Sequence, residues 1–534
     1  MPASACRPSG TDGFAAAAAA VAAAVLVAAP WLRQELAVTA VAGVASALLL
    51  VPAIRGWAGE VACLLAATLT VAIAFHWLPV TLAGVMETSR AIGFAFAVPI
   101  VAWDALRLAV PLWCAARLVR DPRDAWLPAA LAAVVAEVAL PSVFPWKIGS
   151  TMAAWPLTVQ AVDLFGAEWS TFVLFAHAGL LVALVVTADL WLRRRQDPAA
   201  ARQGRTWTPA AIAAAGIVGA NAAYGWGAMS AWTAAIESAP RLRVAVVQAD
   251  PAADEPLLGL QRLTRAACAA DACDLVCWPE CSGGSYASCL ETFADADLLR
   301  RHSRPPWRGV RPLDEGTCPL LFGGQVYEGL PEKPRALFQA AILMEPSGAV
   351  AGVCHKRHLM PFGEYVPWAA QFPELRLSFP RAENYSTGSE ATVLVAGPAR
   401  IGPLLCYEDM LPTAAATLVR NSANLLVSLV NGASFTAPVT LSQHRLLAQL
   451  RAVENRRSLV RCAATGETCV VSPLGVVVAR LPLHAEDVLV ADVPLVETLT
   501  PATRAAGAFP LACGAGLAVL VLRRWRAARG GSTT

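Results

Sequence analysis

The sequence predicts an α/β protein in two parts, a polytopic α-helical membrane domain and a layered domain of alternating strands and helices. Three observations carry this expectation. Hydrophobic residues make up 56% of the 534-residue chain and charged ones 15%, with a mean hydropathy of +0.51, far too apolar for a soluble enzyme of this size. Eight apolar runs have spanning length. From Leu242 to about residue 492 the pattern changes to short apolar strands separated by helically spaced segments, as in an α/β layered domain.

Residues 1–13 are short and polar and are expected to be a cytoplasmic N-terminus. The alanine-rich run 14–30 has the look of a signal-peptide core, but a second apolar run at 36–54 follows almost at once, so 14–30 reads as the first span. Further runs fall at 61–83, 91–118, 125–144, 170–191 and 209–230, giving a membrane domain of about seven helices over 14–230. An eighth lies at 506–522.

Orientation follows from basic residues in the short loops. Arg117, Arg120 and Arg123, then Arg193, Arg194, Arg195, Arg202 and Arg205, then Arg523, Arg524, Arg526 and Arg529 all fall on one side if seven spans precede residues 231–505 and one follows. That side should be the cytoplasm, with 523–534 as a basic cytoplasmic tail. Residues 231–505 are then extracytoplasmic, in the periplasm if the cell is Gram-negative. Net charge is only +3 and the basic residues cluster beside apolar segments, a distribution that speaks against nucleic-acid binding.

Within the spans, Asp104, Arg107 and Glu137 each cost about 2.5–3.5 kcal/mol to insert. Asp104 and Arg107 are three residues apart on one helix, so mutual pairing is one reading and holding a lipid head group is the other. Pro145, Trp146, Lys147 and Trp155 in the loop 145–169 mark a membrane interface.

Past Ser238-Ala239-Pro240, strands are expected at 242–248, 274–279, 319–325, 338–344, 393–396, 401–405, 424–430, 458–463, 467–472, 475–479 and 488–492. Helices are expected at 255–272, 412–420 and 440–455. Cys268, Cys273, Cys277, Cys281 and Cys289 are close enough for one or two disulfides if this part is extracytoplasmic, and equally read as small buried residues. No Cys/His spacing typical of a zinc site appears, and no metal or cofactor is expected.

The chemistry centres on Ile401–Met410, an apolar strand that ends on Cys406 and passes into Tyr407, Glu408 and Asp409. A thiol with an ordinary pKa of about 8.5 needs a base and a positive partner to act as a nucleophile. Glu280, ending the strand Leu275-Val276-Cys277-Trp278-Pro279, supplies a carboxylate. Lys356, ahead of Pro361-Phe362-Gly363-Glu364, supplies the charge.

Trp278-Pro279-Glu280, Lys356 with Pro361-Phe362-Gly363-Glu364 and Pro367, and Cys406-Tyr407-Glu408 together resemble the nitrilase superfamily, specifically its membrane branch, the apolipoprotein N-acyltransferases. The resemblance implies a four-layer α-β-β-α sandwich and a Glu280-Lys356-Cys406 triad. In it Cys406 is the nucleophile, Glu280 the general acid and base, and Lys356 the oxyanion stabiliser. Glu364 and Glu408 support the triad, and Tyr407 shapes the pocket beside the thiol. It also implies a bacterial inner-membrane enzyme. Its acyl donor would be a membrane phospholipid and its acceptor the N-terminal diacylglyceryl-cysteine of an apolipoprotein.

Three stretches depart from the family pattern: Gln248-Ala249-Asp250 for Gln-Gly-Asn, Asn431-Gly432-Ala433-Ser434-Phe435 for Asn-Asp-Ala-Trp-Phe, and Ala463-Ala464-Thr465-Gly466 for Ala-Asn-Thr-Gly. They spare the triad and fall where a lid or acceptor pocket belongs. A paralogue acylating another amine, a membrane-tethered carbon–nitrogen hydrolase and an idle scaffold therefore stand beside the main reading.

Overall fold

The computed structural model describes residues 10–196, 207–249, 256–270, 273–282, 285–288, 318–330, 333–433, 435 and 437–530. The expectations for residues 1–9, Arg202, Arg205, Asp250, residues 255, 271 and 272, Cys289, Ser434 and 531–534 lie outside that set.

Each of the eight apolar runs contains a helix. In chain order the helices of this part are α1 (Gly10–Leu32), α2 (Ala37–Leu49), α3 (Trp57–Ala74), α4 (Leu78–Val85), α5 (Arg90–Leu118), α6 (Trp126–Ala139), the short α7 (Val162–Phe165), which lies between two runs, α8 (Glu168–Gln196) and α9 (Pro209–Ser238). The last two helices of the chain are the short α13 (Pro501–Arg504) and α14 (Ala508–Gly530). Among the described residues, five helices, α1, α3, α5, α8 and α14, are long and apolar enough to cross a membrane. The protein is a membrane protein.

Two boundaries differ from expectation for local reasons. The run 61–83 is broken at Phe75-His76-Trp77, because Pro79 sits in the first turn of α4 and gives up no helical N–H there. α14 continues through Arg523, Arg524, Arg526 and Arg529, whose long side chains are compatible with a helix leaving the bilayer. Asp104 and Arg107 form no ion pair with each other among the described residues. Instead Asp104 Oδ2 accepts from Ser142 Oγ at 3.0 Å and Trp146 Nε1 at 3.3 Å, while Arg107 Nη2 donates to Glu137 O at 3.1 Å.

The second part holds two sheets. One runs β13-β1-β2-β4-β5-β6 with β3 paired to β4, and the other β12-β11-β10-β9-β8-β7. The strands are β1 (Arg241–Gln248), β2 (Leu275–Cys277), β3 (Ser285–Ser288), β4 (Leu320–Leu330), β5 (Lys333–Met344), β6 (Val350–His355), β7 (Leu394–Ala396) and β8 (Ala399–Leu405). They continue with β9 (Leu425–Val430), β10 (Ser458–Ala463), β11 (Cys469–Val471), β12 (Val477–Arg480) and β13 (Asp487–Pro494). β3 and β6 are additions to the sequence-based expectation. The inner faces meet through Val244, Val246 and Leu343 against Leu425, Val427 and Val460. α10 (Pro256–Ala270) covers the first sheet through Leu260 and Ala267. α11 (Pro412–Arg420) and α12 (Pro438–Asn455) cover the second through Leu418, Ala448 and Ala452. This is the α-β-β-α sandwich that the resemblance implied.

α12 also fastens the sandwich to the membrane helices. Gln443 Nε2 donates to Trp31 O and Ala74 O at 2.9 and 2.8 Å, and its Oε1 accepts from Trp77 Nε1 at 2.9 Å. Arg456 Nη2 meets Asp163 Oδ2, in α7, at 2.6 Å. These buried polar contacts fix the end of β8, and with it Cys406, against the top of the membrane domain. All the described cysteines are free thiols, Cys268, Cys273, Cys277 and Cys281 included. Cys268 Sγ and Cys318 Sγ lie 3.7 Å apart.

Candidate active site

Three strand ends converge. β2 delivers Glu280 three residues beyond Cys277, β6 delivers Lys356 one residue beyond His355, and β8 delivers Cys406 directly. Cys406 has φ 47°, a left-handed conformation that non-glycine residues adopt rarely, and it opens a 3₁₀ turn over Cys406–Met410. The turn lifts the thiol out of the strand line at the sheet's end.

Lys356 is 1% exposed, and its Nζ lies 3.0 Å from Glu280 Oε1 and 2.6 Å from Glu364 Oε1. Glu280 is buried as well, and its Oε2 accepts the Asn431 N–H at 3.1 Å. The Cys406 thiol donates to Asn431 O at 3.9 Å, so the backbone of one residue touches both the carboxylate and the thiol. Glu364 Oε2 accepts from Met360 N at 2.8 Å, which folds the 360–364 loop around its own carboxylate.

The electrostatics follow from burial and from this pairing. Burial pushes Glu280 above the usual carboxylate range; Lys356 opposes the rise and Glu364 adds to it. Burial alone would lower Lys356, but Glu280 and Glu364 hold its ammonium well above its ordinary value. Burial pushes the Cys406 thiol up, the Glu280 charge adds to the rise, and Lys356 opposes it. The resting site therefore favours a neutral thiol beside a charged ammonium.

Glu408 is a buried clamp. Its Oε1 accepts from Arg357 N at 2.9 Å and His358 N at 3.1 Å, and its Oε2 accepts from Leu405 N at 3.0 Å. Burial would raise this carboxyl, but His358 Nδ1, 3.3 Å away, and those N–H groups hold it below the usual range. Glu408 thereby ties the residues after Lys356 to the residue before Cys406.

Tyr407 points elsewhere. It lines an apolar cavity of about 60 Å³ with Phe75 and Trp77 at the top of the membrane domain, Met360 and Phe362 of the active-site loop, and Phe435. Phe435 meets Trp77 edge-on at 5.9 Å, so the 431–435 stretch that departs from the family pattern takes part in this wall.

Sequence reasoning gave no role to Asp409, His444 and Arg461. Asp409 is fully buried under the turn, with Oδ1 2.6 Å from His444 Nε2 and Oδ2 2.6 Å from Ser428 Oγ and 3.2 Å from Arg461 Nε. The acid next to Glu408 and the polar face of the long 440–455 helix were the available signals. The pairing crosses some fifty residues and no local pattern displays it.

A family profile described as carbon-nitrogen hydrolase matches residues 243–500. The chain is 34% identical to the apolipoprotein N-acyltransferase of Geobacter metallireducens over 52% of this chain and 51% of that protein. It is 31% identical to that of Chlorobaculum tepidum over 50% and 54%, so it spans about half the length of these two relatives. With the apolipoprotein N-acyltransferase of Azotobacter vinelandii the identity is 32% over 78% of this chain and 76% of the other.

Proposed function

The chain belongs to the apolipoprotein N-acyltransferase family, and we propose that it transfers an acyl chain from a membrane phospholipid to the α-amine of a diacylglyceryl-cysteine at an apolipoprotein N-terminus. The observation that carries this reading is Lys356, buried between Glu280 and Glu364 beside Cys406, with an apolar cavity shared by Tyr407 and the membrane helices next to it.

In the first half-reaction Cys406 Sγ attacks the ester carbonyl as Glu280 takes the thiol proton. The tetrahedral oxyanion forms beside the Lys356 ammonium and the backbone N–H groups near Cys406, which were oriented before the charge developed. On collapse the C–O bond breaks, Glu280 returns its proton to the departing oxygen, and lysophospholipid leaves a thioester on Cys406. In the second half-reaction the acceptor amine attacks the thioester. Glu280 takes a proton from the nitrogen and returns it to Cys406 as the C–S bond breaks, so atoms and protons balance over the cycle.

Glu364 holds Lys356, Glu408 fixes the spacing between Lys356 and Cys406, and Tyr407 shapes the acyl cavity. On this reading 14–230 and 506–522 are the spanning part in a bacterial cytoplasmic membrane, and 231–505 works on its outer face. Two lipid-anchored substrates give a physical reason for setting the thiol at the bilayer surface.

The test is complementation of a bacterium depleted of its own apolipoprotein N-acyltransferase, with mass spectrometry of a lipoprotein N-terminus. Triacylation that disappears in Cys406→Ala supports the reading. Diacylated protein alone, from a folded and inserted chain, sinks it in favour of another acceptor or of hydrolysis.

A further inference from the structure

A second cavity, of about 710 Å³, lies where the membrane helices meet the sandwich. It is walled by α6 and α14, by the loop carrying Lys147, by Leu411 and Pro412 just past the Cys406–Met410 turn, and by Glu454 of α12. Val138 and Leu511 line it and are 57% and 76% exposed, which puts its mouth between α6 and α14 on a surface that faces lipid. The walls are mostly apolar, so a lipid-borne group can enter sideways without crossing water.

Buried charge surrounds this cavity. Lys147 Nζ pairs with Glu168 Oε1 at 2.7 Å and Arg451 Nε with Glu454 Oε2 at 2.8 Å. Arg107 donates to the Glu137 carbonyl, and Asp104 lies one helical turn from Arg107. Three carboxylates line the cavity, Glu137, Glu168 and Glu454; Lys147 pairs with the second and Arg451 with the third, and the Glu137 carboxylate has no ion pair among the described residues. One negative charge is left over. Three carboxylate oxygens, Glu137 Oε2 and both of Glu454, accept no hydrogen bond among the described residues, although the side chains are 6% and 4% exposed. Both residues line the cavity. A buried carboxylate oxygen without a donor is costly, and its position marks where a donor belongs.

We infer that this cavity holds the acyl acceptor before transfer, with the free α-ammonium of a diacylglyceryl-cysteine between Glu137 and Glu454 and its two acyl chains leaving between α6 and α14. An ammonium brings one positive charge and three donors, which meets the deficit and the orphan oxygens of Glu137 and Glu454. A phospholipid ammonium fits less well, because its phosphate restores the negative charge and Lys147 is already engaged by Glu168. A proton on Glu454 is the competing way to balance the cluster. The inference rests on the acceptor named above, and it adds a site past the Cys406–Met410 turn that binds acceptor whether or not Cys406 carries an acyl group.

The experiment uses full-length Cys406→Ala protein in nanodiscs of phosphatidylglycerol, titrated with a fluorescent diacylglyceryl-cysteine peptide, its N-acetylated analogue and phosphatidylethanolamine. The free-amine peptide should bind at least tenfold more tightly than the other two, and Glu454→Gln, a near-isosteric change, should erase that preference. Ala515→Trp, which fills the cavity, should weaken the peptide without removing thioester formation from labelled phospholipid in a Cys406 background. Equal binding of amine and N-acetyl peptides, preference for phosphatidylethanolamine, or full preference retained in Glu454→Gln overturns the inference. Triacylation in the complementation assay is scored separately, so loss of this site and loss of the transferase reading give different results.

Discussion

Gly323 of β4 is packed against the backbone of Glu280: a Cβ placed on it would lie 2.5 Å from Glu280 Cα, closer than real Cβ atoms come. Glu280 is thus positioned by an absent side chain on the neighbouring strand. Gly323→Ala must push Glu280 outward, and a displacement approaching 1 Å costs about 100-fold in rate. Thioester formation from labelled phospholipid should fall by about that factor while the protein stays folded by circular dichroism. Unchanged acylation would show that Glu280 needs no such placement.

The two carboxylates on Lys356 should separate by role. Glu280→Gln removes the proton acceptor and should lower acyl-enzyme formation by about 10²–10⁴-fold. Glu364→Gln keeps a hydrogen-bond acceptor for Lys356 and should cost less. Single-turnover measurements on both variants decide this, and an equal loss would mean that Glu364 also moves protons.

Glu408→Ala strands the N–H groups of Leu405, Arg357 and His358. Charged hydrogen bonds of this kind contribute about 1.5–3 kcal/mol each in isolation, and their joint loss should lower unfolding stability by about 3 kcal/mol or more. Denaturant unfolding of the purified protein reads this directly. A loss below about 1 kcal/mol would leave Glu408 with no clamping role.

The pH dependence follows from Glu280. Burial raises its folded pKa, so the carboxylate form needed to accept the thiol proton appears only above the ordinary range of about 4.3. Acylation should rise with pH through that shifted value. The protonated form is the one the fold favours, so the residue's contribution to stability is fully present below its unfolded pKa and is lost as pH rises through the folded one. Glu280→Gln should flatten that component of the stability profile. An acid limb at the ordinary glutamate value would contradict the burial effect.

Phe435→Ala should widen the narrow Tyr407 cavity and shift the preferred acyl chain toward greater bulk, at a cost of about 3 kcal/mol in stability. Competition among phospholipids of defined chain length measures it. An unchanged chain profile would mean that the acyl group lies elsewhere.

Local sequence settled those features whose physics is local. Each of the eight apolar runs located a helix, although the break at Pro79 divides 61–83 between two. Alternation of short strands with α10, α11 and α12 supported layers, and the Trp278-Pro279-Glu280, Pro361-Phe362-Gly363-Glu364 and Cys406-Tyr407-Glu408 strings identified the residues that meet in the candidate site. Only the tertiary structure decided what each of those residues touches. Pairing Lys356 with Glu280 spans 76 positions, Asn431 reaches Glu280 across 151, and Trp77 meets Gln443 across 366. Hydrophobic periodicity reports which face of an element is buried. It carries no information about which distant element covers that face, so the position of Asp409, the partners of Asp104 and Arg107 and the unbalanced charge at the second cavity became visible only when the chain was packed.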